Sequence, residues 1–71
     1  MRQFSGPRLR AERHRAGLSA DQVGALVQRS SWTVYQYENG RAHPPLPVAL
    51  ALADLLGAPL DRLLTDDLKA A

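Results

Sequence analysis

Residues 17–40 read GLSADQVGALVQRSSWTVYQYENG, and the spacing of start and stop signals within this stretch decides the fold. Ser19-Ala20-Asp21-Gln22 has the form of a capping box, in which the Ser19 hydroxyl accepts from the Gln22 N–H and the Gln22 side chain reaches back. Asp21 adds a negative charge at the positive end of the helix dipole. A helix is therefore predicted from Ala20 to about Val27, presenting Val23, Leu26 and Val27 on one side. Two or three residues later Ser30 offers another N-cap, with Thr33 three positions on, and Asn39-Gly40 is a stop. That places a second helix over Ser31–Glu38. Two such short helices, joined by so short a turn, cannot stack antiparallel over much of their length. They cross steeply.

That crossing is the geometry of a helix-turn-helix. Before it, a helix is predicted from Pro7, where a missing N–H costs nothing, to Ala16, with Gly17 as its left-handed cap. After it, Leu46 to Leu56 is apolar at 46, 49, 50, 53 and 56 and closed by Gly57. A short fifth helix follows Pro59, with Leu60, Leu63 and Leu64 facing inward. No segment alternates with the period of two that marks a strand. The expected architecture is all-α: a compact five-helix bundle forming a single domain over residues 1–71, with its core at 6–64 and a fraying tail at 65–71.

Composition narrows the function. Seventy-one residues without cysteine rule out disulfides, thiolate nucleophiles and Cys-based zinc, so stability rests on apolar packing. No apolar run approaches the roughly 20 residues of a membrane span, and the first residues lack the apolar core of a leader, so a cytoplasmic location is expected. Net charge is only +2, but residues 1–41 carry seven arginines against three acids, while residues 42–71 carry two cations against four. A basic first half and an acidic second half fit either a face for a polyanion or a solvated surface of mixed charge. His14 and His43 fall on different elements with no carboxylate set beside them, and the five glycines are scattered. No enzyme, metal site or cofactor is expected.

Gly17-Leu18-Ser19, Val23-Gly24, Val34, Tyr37-Glu38-Asn39-Gly40, Leu52-Ala53, Leu56-Gly57 and Leu60 together resemble the lambda-repressor/Cro-like family of bacterial and phage regulators, also called the xenobiotic-response-element family. The likeness covers residues 6–64 and runs without a gap from Gly17 to Gly40. It implies a sequence-specific transcriptional regulator that binds double-stranded DNA, with the third helix in the major groove. In that reading Ser31, Trp32 and Gln36 reach base edges, with Tyr35 on or beside the same face, while Thr33, Asn39 and Arg41 hold phosphates; Arg29, by its place in the turn, can also reach one. Arg13 and Glu38 match positions that often form an ion pair between the first and third helices. Three positions depart from the pattern. Gln28 stands where the turn usually has Gly, so a Gln takes the left-handed region at about 1–2 kcal/mol, or the turn differs. Ala20 replaces a polar residue that commonly binds a phosphate, and Gly24 replaces the usual Ala, permitting closer helix packing.

The chemistry of the third helix can also be read without the family. Val34 and Tyr37 share one face, whereas Trp32, Tyr35, Gln36 and Asn39 lie around the other. Gln36 can bond bidentately to adenine N6 and N7, and Trp32 can press on a thymine methyl. The plainer alternatives are that Trp32 packs across the second helix, that Tyr35 points at solvent, and that Gln36 is a solvated amide. Arg8, Arg10 and Arg15 are expected to solvate the first helix. So small a module makes few base contacts, so a homodimer is expected, at least on DNA, on a pseudo-palindromic operator with half-sites about 34–36 Å apart. Its expected surface is the fourth and fifth helices with the tail, around Leu55 and Leu68. The competing reading is a protein-interaction module, an antitoxin or adaptor on the same fold, with Trp32 and Tyr35 as anchors for a protein partner.

Overall fold

The computed structural model of the protein describes residues 2–66, with side chains at positions 3–65. Its elements are β1 (Arg2–Phe4), α1 (Gly6–Arg15), α2 (Ala20–Leu26), α3 (Ser31–Glu38), α4 (Leu46–Leu56), a 3-10 turn (Leu60–Leu63) and β2 (Leu64–Asp66). A serine starts each of the first three helices. Ser5 accepts from the Arg8 N–H at 3.3 Å, and Ser30 from the Thr33 N–H at 3.1 Å. Ser19 accepts from the Gln22 N–H at 3.0 Å, and its own N–H donates to Gln22 Oε1 at 2.8 Å, which completes the capping box. α4 starts differently. Pro45 is its N-cap, with no side-chain hydrogen bond, and Gly57 ends it at φ 67°.

Leu9, Val23, Val34, Leu52 and Leu63 are fully buried, one from each helix and one from the 3-10 turn. Each such burial is worth about 1.5–3 kcal/mol, so the core draws every helix inward at one point. Ala20, Val27, Tyr37, Val48, Ala53 and Leu56 close around them. No helix among the described residues is long and apolar enough to cross a membrane.

The structure corrects the five-helix expectation. The described residues form four α-helices, and the segment after Pro59 makes a single 3-10 turn of four residues. The chain then extends at Leu64 (φ −112°, ψ 155°) and pairs antiparallel with the first residues, Phe4 opposite Leu64 and Gln3 opposite Thr65. The Ser5 N–H donates to Leu63 O at 2.7 Å, continuing the pairing into the start of α1. Closing this ribbon satisfies backbone groups that one more helical turn would leave at a frayed end. Thr65 and Asp66 thus belong to a strand, and the rest of the expected tail, Leu68 included, lies outside the described residues.

Two faces also turn out differently. The sequence pattern puts Leu26 beside Val23 and Val27, but it is 63% exposed, because Ala20, Val23 and Val27 form the inner line of α2. In α4 the buried positions are Val48, Ala49, Leu52, Ala53 and Leu56, and Leu46 and Leu50 face out. Leu64 is half-buried, not fully inward, and Leu55 is half-buried against the core, not free on the surface.

Candidate nucleic-acid interface

The turn between α2 and α3 is built from two backbone features. Gln28 adopts φ 58°, the left-handed region. That reversal brings the Arg29 N–H back onto Gly24 O at 2.7 Å, so the chain folds tightly over the end of α2. Gly24 makes this possible, since a Cβ there would stand 2.5 Å from Arg29 O. The departures at positions 24 and 28 are therefore linked: the bare Cα of one accepts the close approach that the left-handed backbone of the other creates.

The turn sends α3 off with two faces. Val34 is completely buried and Tyr37 and Glu38 nearly so, whereas Trp32 is 67% and Tyr35 49% exposed. Ser31, Thr33 and Gln36 are half-buried at the edges, and Asn39 is exposed just past the end. The Thr33 hydroxyl lies 3.0 Å from Ser30 Oγ, so both hydroxyls at the start of the helix share one hydrogen bond. Trp32 is solvated, not laid over the core. The structure therefore brings Ser31, Trp32, Tyr35 and Gln36 onto one open flank of a single rigid element.

The flanking cations behave differently from one another. The backbone N–H groups of Arg41 and Ala42 donate to Gln36 O at 3.0 and 3.2 Å, tying the segment after α3 back onto its last turn. Arg41 is thereby held beside the open face with its side chain exposed. Arg29 is also exposed, but its guanidinium donates to Gln28 O at 3.1 Å and so folds back over the turn. Arg8 and Arg10 are exposed on α1, while Arg15 pairs with Glu12 on the same helix.

A buried ion pair positions the whole element. Arg13 Nε donates to Glu38 Oε2 at 2.6 Å and Nη2 to Oε1 at 3.2 Å, a bidentate fork joining α1 to the last residue of α3. Arg13 Nη1 also donates to Leu18 O at 3.0 Å. The hydrogen bonds that the Arg13 guanidinium donates to Glu38 hold it above its already high ordinary pKa, against the opposing effect of burial, with the Glu38 charge adding to the rise. Gly6 completes the junction. A Cβ there would run into the carbonyl oxygens of Tyr37 and Glu38, so the start of α1 abuts the end of α3 backbone to backbone. Sequence reasoning missed Gly6, and only the Gly6-Pro7 pair at a helix start hints at it.

A family profile described as a helix-turn-helix domain matches residues 6–65, and the chain belongs to that family. Within it, the domain is lambda-repressor-like. The P22 c2 repressor, solved in complex with a synthetic operator, superposes with a TM-score of 0.78 at 30% identity, over 86% of this chain and 92% of that one. A protein of Pyrobaculum aerophilum assigned as an HTH-type transcriptional regulatory protein is 37% identical over 54 residues. That match takes in 76% of this chain but only 22% of the relative's length. Hydroxypropylphosphonic acid epoxidase from S. wedmorenis has a TM-score of 0.80 at 21% identity, over 89% of this chain and 35% of the enzyme. That likeness is one of fold alone.

Proposed function

We propose that this protein is a DNA-binding transcriptional regulator that acts as one domain and lays α3 into the major groove of double-stranded DNA. The observation that carries the reading is the open flank of α3, where Trp32 and Tyr35 stand largely in solvent beside Gln36. A helix that exposes two aromatics beside a half-buried amide, on a scaffold fixed by a buried ion pair, is suited to pressing on base edges. Gln36 reads adenine, Ser31 and Tyr35 add hydrogen bonds, and Trp32 packs on a thymine methyl. Arg41, Asn39, Thr33 and, once it swings off the turn, Arg29 meet phosphates and set the register. Arg13 and Glu38 keep α3 at its angle without touching DNA. A homodimer on a pseudo-palindromic operator supplies the contacts that one copy lacks. The regulatory relative and the operator-bound repressor both support this reading.

Selection of bound duplexes from a random pool at moderate salt tests it. The protein enriches a two-half-site motif, and Gln36→Ala relaxes the adenine position within each half. No enrichment would sink specific recognition. An unchanged motif with Gln36→Ala would sink that residue's role.

The exposure of Trp32 and Tyr35 also suits a second reading, an interaction module for a protein partner. The two separate on salt dependence, which is steep for a polyanion and shallow for an apolar protein surface.

A further inference from the structure

A groove of about 400 Å³ lies between α1 and the end of α3, lined by Pro7, Arg10, Ala11, His14 and Glu38. The four α1 residues fall three and four apart, so they form one patch of that helix about 10 Å long. Arg10 and His14 make one row of the patch, and Pro7 and Ala11 make the apolar row beside it. The proposed DNA contacts leave this patch unused. We infer that the groove binds a small apolar carboxylate, whose charged end meets Arg10 and whose hydrocarbon body covers Pro7 and Ala11. The site goes beyond the proposed function and does not depend on it.

Charge selects the head group. Arg13 is paired with Glu38 and Arg15 with Glu12, whereas Arg10 has no ionic partner among the described residues. Its planar fork is therefore free to take a carboxylate by two parallel hydrogen bonds. Glu38 alone would repel an anion, but both of its oxygens are held by Arg13, at 2.6 and 3.2 Å. His14 adds a donor. Its Nε2 lies 3.4 Å from Arg13 Nη2, and a guanidinium can only donate, so Nε2 accepts and Nδ1 carries the ring proton.

Size and polarity select the rest of the ligand. Small-molecule sites span about 300–1,000 Å³ and are mostly apolar, with a few placed polar groups. A groove of about 400 Å³ falls near the lower end of that range, which suits a ring or short chain with one charged end. An inorganic anion would leave Pro7 and Ala11 uncovered, and a neutral hydrocarbon would leave Arg10 without a partner. Glu38 is both a wall of the groove and the last residue of α3. A bound carboxylate thus lies against the Arg13–Glu38 strut, where its presence is felt at the exposed helix.

Phenylbutyrate, titrated into the full chain without DNA and followed by amide chemical shifts, tests the site. Saturable shifts are expected at residues 7–14 and at Glu38, with a midpoint on the order of millimolar. Phenylbutanol, which keeps the body and lacks the charge, and inorganic phosphate, which has the charge alone, should each bind about tenfold more weakly or worse. Arg10→Gln should weaken phenylbutyrate about tenfold, and Arg8→Gln, on the same helix but outside the groove, should leave it unchanged. The same spectra report that each variant is folded. Absence of saturable shifts, shifts centred away from the groove, or equal binding of the alcohol would overturn the inference. So would tighter binding of a tetraglutamate peptide, which would make the groove a seat for a protein segment. If Arg10→Gln spares phenylbutyrate and lowers duplex affinity instead, the groove holds a DNA phosphate and the inference is wrong.

Discussion

Arg13 grips both carboxylate oxygens of Glu38 at 2.6 and 3.2 Å, a bidentate contact between residues 25 apart in sequence that joins the third turn of α1 to the last residue of α3. Both side chains are nearly closed off from water, so neither can lose its partner and be rescued by solvent. The pair acts as a strut beneath the exposed face. It fixes the angle at which Trp32 and Gln36 project.

Removing one end of this strut costs far more than removing both. Arg13→Met or Glu38→Leu alone should lower stability by about 3–5 kcal/mol, because each leaves a buried charge unpaired. The double variant should recover most of that loss. Urea denaturation of the four proteins checks the cycle, and additive single losses would contradict it.

The raised pKa of Arg13 sets the sign of its pH dependence. A cation with a raised folded-state pKa contributes fully below its unfolded value and loses that contribution only as pH climbs through the folded one. Both lie at the alkaline extreme. The stability gap between wild type and Arg13→Met should therefore stay level from pH about 7 to about 10, as read from urea midpoints at each pH.

Gly24→Ala tests the tight turn against helix propensity. Propensity alone favours Ala by up to about 1 kcal/mol. The added methyl, however, would stand 2.5 Å from Arg29 O, a backbone atom that cannot swing aside. Crowding of this kind typically costs about 1–3 kcal/mol, so the net change should be a lower melting temperature. A higher one would mean that the turn relaxes freely.

Gln28→Gly should do the opposite. The left-handed backbone at φ 58° strains a residue with a Cβ by about 1–2 kcal/mol, and glycine removes that strain. Part of the gain is lost to the greater freedom of glycine in the unfolded chain. A net rise in stability of about 0.5–1 kcal/mol is expected, measured by thermal or urea unfolding.

Much of this could be read along the chain, and the failures have physical causes. The bounds of α3 and the Ser19–Gln22 box follow from local capping, which needs no knowledge of what packs where. The face of α4 is ambiguous in the sequence because positions 48 to 53 are apolar without interruption, so two overlapping stripes fit the period equally well and only the neighbouring helices choose. The β1–β2 ribbon joins opposite ends of the chain through strands of three residues, too short for alternation to register. At the candidate interface, the outward chemistry of Trp32, Tyr35 and Gln36 was legible as a helical face. The Arg13–Glu38 pair was indicated by family likeness alone, since nothing local links two residues so far apart. Gly6 had only the Gly6-Pro7 pair to mark it, which is faint because many helices start with a glycine or a proline.

Arg41 should behave as a phosphate contact and not as a reader of bases. Arg41→Ala is expected to weaken binding to every duplex by a similar factor and to reduce the log–log salt slope by about one. Affinities for an enriched motif and a scrambled one, measured at several salt concentrations, check this. A loss confined to the motif would assign Arg41 to base reading instead.

The most direct measurement uses the chain's single tryptophan, which stands on the proposed reading face itself. Trp32 fluorescence should change on titration with a motif-bearing duplex, and the midpoint should move steeply to weaker binding as salt rises. Duplex binding that leaves the Trp32 emission unaltered would contradict the account, because some element other than α3 would then be in the groove.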